Sequence, residues 1–156
     1  MKRIKVLSMF LLVAMMATVL VGCSKDDDAN FDLNSYIIGS WHSYKGSVFI
    51  MGGQYAGTSN TVTVEKTGQY SDWYYEIKFL DANRATFSAY KQDENGVSNW
   101  EQEEITYSIN GSAVRLKDSD GETIDLIFDE KDNSLCLQVS ITKDDVPYKV
   151  AIYLRK

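Results

Sequence analysis

The chain has 156 residues, with 22 Asp or Glu against 16 Lys or Arg and a formal net charge of −6. An acidic chain without a basic stripe offers no footprint for phosphate, which excludes a nucleic-acid partner. One histidine and two cysteines, in a length that suits one domain, exclude a zinc centre built on His and Cys and a disulfide framework.

Lys2, Arg3 and Lys5 form a basic start, and Val6 to Val21 follows almost wholly apolar and without charge. This is the pattern of a secretory signal, and the apolar run is shorter than the roughly 18 residues of a spanning helix. Leu20-Val21-Gly22-Cys23 resembles the lipobox of bacterial lipoproteins. The resemblance implies cleavage between Gly22 and Cys23 and acylation of Cys23 by chains of the palmitate kind. Each buried methylene contributes about 0.8 kcal/mol, so two or three chains hold a small domain on a bilayer. The expected partner is thus the membrane, through a lipid anchor at Cys23.

Ser24, Lys25, Asp26, Asp27 and Asp28 resemble the surface-export signal of some Gram-negative lipoproteins, where acidic residues follow the lipidated cysteine. The other reading of the run is a solvated tether that its own charge extends. Ser24, where inner-membrane lipoproteins carry aspartate, argues against retention there. The expected location is the outer membrane on the cell surface, with its periplasmic face as the alternative. The expected organisation is a signal peptide over 1–22, a lipidated acidic tether over 23–35 and a folded domain over 36–156.

From Ala29 to Ile38 the tether passes into a short helical turn, with Phe31, Leu33 and Ile37 available to cover one end of a core. Ile37 to Tyr44 reads as the first strand, ended by Gly46. After it the apolar residues recur at every second position, the signature of strands half buried on one side. Val48 and Ile50 precede the glycine-rich stretch 52–58, and Val62 and Val64 follow it. Trp73, Tyr75, Ile77 and Phe79 alternate with Tyr74, Glu76 and Lys78, and Ala85, Phe87 and Ala89 come after a polar break. Asn95-Gly96 and Asn110-Gly111 suit tight hairpin turns, and Asp120-Gly121 turns the chain again. Ile105-Tyr107-Ile109, Val114-Leu116, Ile124-Leu126-Phe128 and Tyr148-Val150-Ile152-Leu154 keep the period of two. Cys136 falls on the face of Gln138 and Ser140, a small strand side chain with no base near it in sequence. Pro147 stands at the entrance of the last strand, where its missing N–H costs little. About nine or ten short strands joined by hairpins give an all-β, antiparallel up-and-down meander, and closure into a barrel removes its two exposed edges.

Gly39-Ser40-Trp41 behind a helical lead-in resembles the Gly-x-Trp signature of lipocalins and their calycin relatives. The stretch from Ile37 to Lys156 resembles the lipocalin-like domain of many small bacterial lipoproteins. The resemblance implies a lipocalin-like barrel whose closed end is plugged by Trp41, with Arg155 as the arginine that packs over its ring. A core aromatic and a solvated terminal charge are the other reading of this pair.

Little in the chain carries catalysis. Asp118 to Glu122 resembles the start of a calcium loop, but its glycine falls too early, and it reads as a hairpin turn. Glu101, Glu103 and Glu104, opposite Asp93 and Glu94, read as a solvated face and not as a glycosidase pair. No cofactor and no enzymatic activity are expected. What stands out is ten tyrosines, six phenylalanines and three tryptophans. Tyr74, on the face opposite Tyr75, and Trp100, near a hairpin tip, are the candidate ligand contacts, because such rings join apolar area to a polar tip. The expected function is non-catalytic binding of a small apolar or glycan-like ligand. The alternative is a filled barrel that docks on an outer-membrane protein as an accessory subunit or inhibitor.

Overall fold

The computed structural model describes residues 31–92 and 95–156. The expected signal, the expected cleavage site at Gly22–Cys23, the acidic run behind it, and Asp93 and Glu94 lie outside the described residues. Among the described residues the chain forms a helical turn, α1 (Leu33–Tyr36), and nine strands: β1 (Gly39–Ile50), β2 (Ser59–Thr63), β3 (Tyr75–Phe79), β4 (Arg84–Gln92), β5 (Ser98–Asn110), β6 (Ala113–Lys117), β7 (Thr123–Asp129), β8 (Ser134–Lys143) and β9 (Val146–Arg155). No helix among these residues is long and apolar enough to cross a membrane.

Neighbouring strands pair antiparallel from β3 through β9, and β9 returns to β1 from His42↔Arg155 to Ile50↔Tyr148. This closes an eight-stranded antiparallel barrel, compatible with a lipocalin-like fold. The remaining strand, β2, pairs with β1 between Lys45 and Phe49, while β3 takes the same edge of β1 between Gly39 and His42. β2 and β3 are therefore two pieces of one course of the wall. The chain between them makes a 3-10 turn, Ser71–Trp73.

The first strand departs from its expected form in two ways. Ile37 is not in it: its N–H bonds back to Leu33 O and closes α1, so the strand opens at Gly39. Gly46 does not end it either. A bulge between Ser43 and Lys45 inserts one residue against β9, so the buried positions run Trp41, Ser43, then Gly46. An extra residue in one strand reverses the alternation beyond it. Gly46 faces inward through this shift, and the Trp73 ring occupies the space above it, leaving no room for a Cβ. Where the β1–β3 ladder ends, Ser43 Oγ replaces a backbone group, accepting from Tyr75 N at 3.0 Å and donating to Tyr75 O at 3.4 Å.

Apolar side chains from the alternating positions fill the end of the barrel beneath α1. Ile37, Trp41, Val114, Leu116 and Leu135 are completely buried. Trp41 stands at the centre of this end, its Nε1 donating to Ile37 O at 2.7 Å, with Tyr36 and Phe128 edge-on to its ring. Leu33 is buried, and Phe31 stacks on Phe128 at 5.3 Å. Asp32 caps α1 by accepting from Asn34 N and Ser35 Oγ, which lowers its pKa.

Arg155 is not the cation over Trp41. Leu154 is buried, so alternation turns Arg155 outward, where it lies 4.7 Å from the centroid of Tyr44. The next residue supplies the charge at the closed end: Lys156 Nζ is 5.7 Å from the Trp41 centroid and 4.5 Å from that of Tyr36, and it donates to Tyr36 O.

Candidate functional site

The outer face of β3, β4 and β5 brings Tyr74 and Trp100 together. Their ring centroids are 5.9 Å apart. The pairing Tyr90↔Trp100 adds Tyr90, which meets Trp100 edge-on at 4.9 Å. All three rings are partly exposed. The result is a row of half-exposed aromatic faces outside the barrel, with the apolar core on the other side of the wall.

Register explains why Trp100 points outward. A two-residue turn at Asn95-Gly96 would set Trp100 opposite Lys91, on the face of buried Ala89. The observed β4–β5 pairing closes at Gln92↔Ser98 and sets it opposite Tyr90 instead. Glu101 and Glu103 thereby take the alternating set of buried Ile105 and Tyr107, and one carboxylate oxygen of Glu103 is buried. The expectation that Glu101 and Glu103 belong to a solvated face is corrected by this register. Glu104 does stand on the outer face.

Below the aromatic row runs a polar one. Glu76, Ser88 and Gln102 are neighbours across β3, β4 and β5. Ser88 is only 4% exposed although it points away from the core, which makes it the floor between taller side chains. Its Oγ lies 3.5 Å from Gln102 Oε1. Tyr74 OH donates to Glu76 Oε1 at 3.0 Å, tying the two rows together. Burial first, then the hydrogen bond and charge of Glu76, push the Tyr74 hydroxyl up to about 12. Lys66 reaches in from the chain between β2 and β3: its Nζ is 4.1 Å from the Trp100 centroid and 3.6 Å from Glu76 Oε1. Tyr90, Glu76 and Lys66 were not distinguished by the sequence reading. Tyr90 could have been found by pairing β4 with β5 in the observed register.

The same outer face continues down β5 to Glu104 and Thr106. There a cleft of about 250 Å³ is lined by Leu80, Arg84, Glu104, Thr106, Lys117 and Ser119. Arg84 is held by Asp81 at 2.6 Å, and this pair keeps the Asp81 carboxyl below its usual range.

A second cluster, outside β1, β8 and β9, is a stack of cations on tyrosines. Lys45 Nζ lies 4.1 Å from the Tyr153 centroid, beside Arg155 on Tyr44. Cys136 is buried beneath this face with Gln138 and Tyr153 near it, and burial raises its thiol pKa. A thiol of raised pKa is a poor nucleophile. Among the described residues, no group of three or more His, Cys, Asp or Glu side chains is placed to hold a metal ion.

No protein-family model matches the chain, and no curated protein matches it significantly.

Proposed function

We propose that this chain is a lipid-anchored outer-membrane lipoprotein whose lipocalin-like barrel binds a small glycan-like or apolar ligand without catalysis, on the Tyr74–Tyr90–Trp100 face. The observation that carries this reading is the meeting of three half-exposed rings over a polar row on the outside of a closed wall. Aromatic faces held in place give contact area at little entropic cost, and the polar neighbours orient what lies on them. Tyr74 is locked by Glu76 and Trp100 is wedged between Tyr74, Tyr90 and Lys66, so the platform is formed before a ligand arrives. Binding to a formed platform avoids the ordering cost of a loose one.

Titration of tryptophan fluorescence with a saccharide panel and an apolar dye tests the reading. Saturable quenching that Trp100→Ala removes and Trp41→Phe leaves intact supports it; quenching unaffected by Trp100→Ala sinks it. The anchor is tested by metabolic labelling with an alkynyl palmitate, which should tag the wild type and not Cys23→Ala.

A second reading, docking on a membrane protein, is favoured by apolar exposure along the β1–β2 hairpin: Phe49, Met51 and Tyr55 are 41, 45 and 62% exposed. Cross-linking in cells that depends on Met51 and Tyr55 but not on Trp100 would favour it.

A further inference from the structure

We infer that the aromatic platform is one end of an elongated site running down the outer face of β5 into the cleft at Arg84 and Lys117, and that its ligand is a linear oligosaccharide. This rests on the reading of Tyr74, Tyr90 and Trp100 as a binding platform.

Three observations converge on one stripe. Trp100, Gln102, Glu104 and Thr106 are alternate residues of β5 and share its outer face, and β4 sets Tyr90, Ser88, Thr86 and Arg84 beside them in register. The upper end of the stripe is aromatic, its middle is the buried floor at Ser88 beside Gln102, and its lower end is the cleft. At about 3.4 Å per residue, Trp100 and Glu104 are separated by roughly 14 Å, the span of about three sugar rings in an extended chain.

The chemistry of the stripe selects the ligand. A fatty chain laid along it would cover Gln102, Glu104 and Thr106 without returning hydrogen bonds, and a polar group buried unpaired is costly. A sugar chain places an apolar ring face on the indole and offers hydroxyls to carboxylate, amide and ammonium groups in turn. Acceptors and donors are both present: Glu76 and Glu104 accept, Lys66 and Lys117 donate, and Gln102 does either. A single sugar on the platform would leave the cleft to water, so length is the property that this surface reads.

The test is calorimetric titration of the full chain, purified in detergent, with linear β-1,4- and α-1,4-gluco-oligosaccharides of one to six units. The expected result is an affinity that rises at least tenfold from the disaccharide to the tetrasaccharide and then levels off. Glu104→Ala with Lys117→Ala should lower tetrasaccharide affinity about tenfold and leave the disaccharide unchanged, and Trp100→Ala should remove both. Affinity independent of chain length, still abolished by Trp100→Ala, overturns the elongated site and leaves the platform standing. Saccharide binding that ignores Trp100→Ala, or no saccharide binding by a protein whose circular dichroism shows it folded, overturns the elongated site, and in the first case the platform falls too.

Discussion

Replacement of Trp41 by phenylalanine removes two things from the closed end of the barrel and nothing from its surface. The first is the indole N–H that reaches Ile37 O at 2.7 Å, in a place where both residues are completely buried. A buried carbonyl that loses its donor costs about 1–3 kcal/mol. The second is volume: a gap of roughly 40 Å³, at about 24 cal/mol per Å³, adds about 1 kcal/mol. The sum is a loss of about 2–4 kcal/mol, which for a domain of this size lowers Tm by roughly 10 °C. Urea unfolding followed by far-ultraviolet circular dichroism measures it directly, with the slope unchanged if the native state stays compact. A loss below about 1 kcal/mol would refute the reasoning, since it would mean that Ile37 O finds another donor and that the end collapses freely around the smaller ring.

Lys156→Ala should destabilise the closed end by about 0.5–1 kcal/mol through its contact with Tyr36 and Trp41, and the double-mutant cycle with Trp41→Phe should couple it to that ring; Arg155→Ala should show no such coupling. Gly46→Ala puts a methyl 2.6 Å from Trp73 Cε3, so the ring must move, at a cost of about 1–3 kcal/mol and with a changed near-ultraviolet spectrum; Trp73→Leu in the same chain should recover most of the loss. Arg115 grips Asp125 with two bonds of 2.7 Å, and its hydrogen bonds hold the Asp125 carboxyl below its usual range. A group whose folded value is depressed stabilises above its unfolded value, and the contribution disappears as pH falls through the folded one. Both side chains are well exposed, so Arg115→Met should cost at most about 1 kcal/mol at pH 7, and urea midpoints should converge with the wild type as pH falls and the Asp125 carboxyl becomes protonated.

Most of the wall was legible because each strand carries its own signal. β7 alternates Ile124, Leu126 and Phe128 against Asp125 and Ile127, and β9 alternates Val150, Ile152 and Leu154 against Lys149 and Arg155. The places of two turns were legible for the same local reason: Gly111 and Gly121 take positive φ, a conformation that glycine adopts without strain. What failed was long-range. The bulge after Ser43 leaves no mark in the sequence, since Tyr44, Lys45 and Gly46 read as the end of a strand as easily as a shift within it. The resemblance implies Arg155 over Trp41, while the orientation of Arg155 follows from the parity of buried Leu154. Tyr74 and Trp100 could be named singly as outward candidates, but their meeting depends on one residue of register in the β4–β5 connection. Lys66 belongs to the site only through the path taken between β2 and β3, which no period of two describes.

The pairing of β1 with β9 also bears on the order in which the molecule can form. From β3 to β9 each strand meets the one made just before it, so hairpins can zip in succession with short loops to close. The last seam is different, joining His42 to Arg155 across more than a hundred residues. A chain that emerges amino end first must therefore hold the edge of β1 open until Val146–Arg155 has followed. In that interval an unfinished barrel presents two strand edges to any similar neighbour. Loss of the final strand would make that interval permanent.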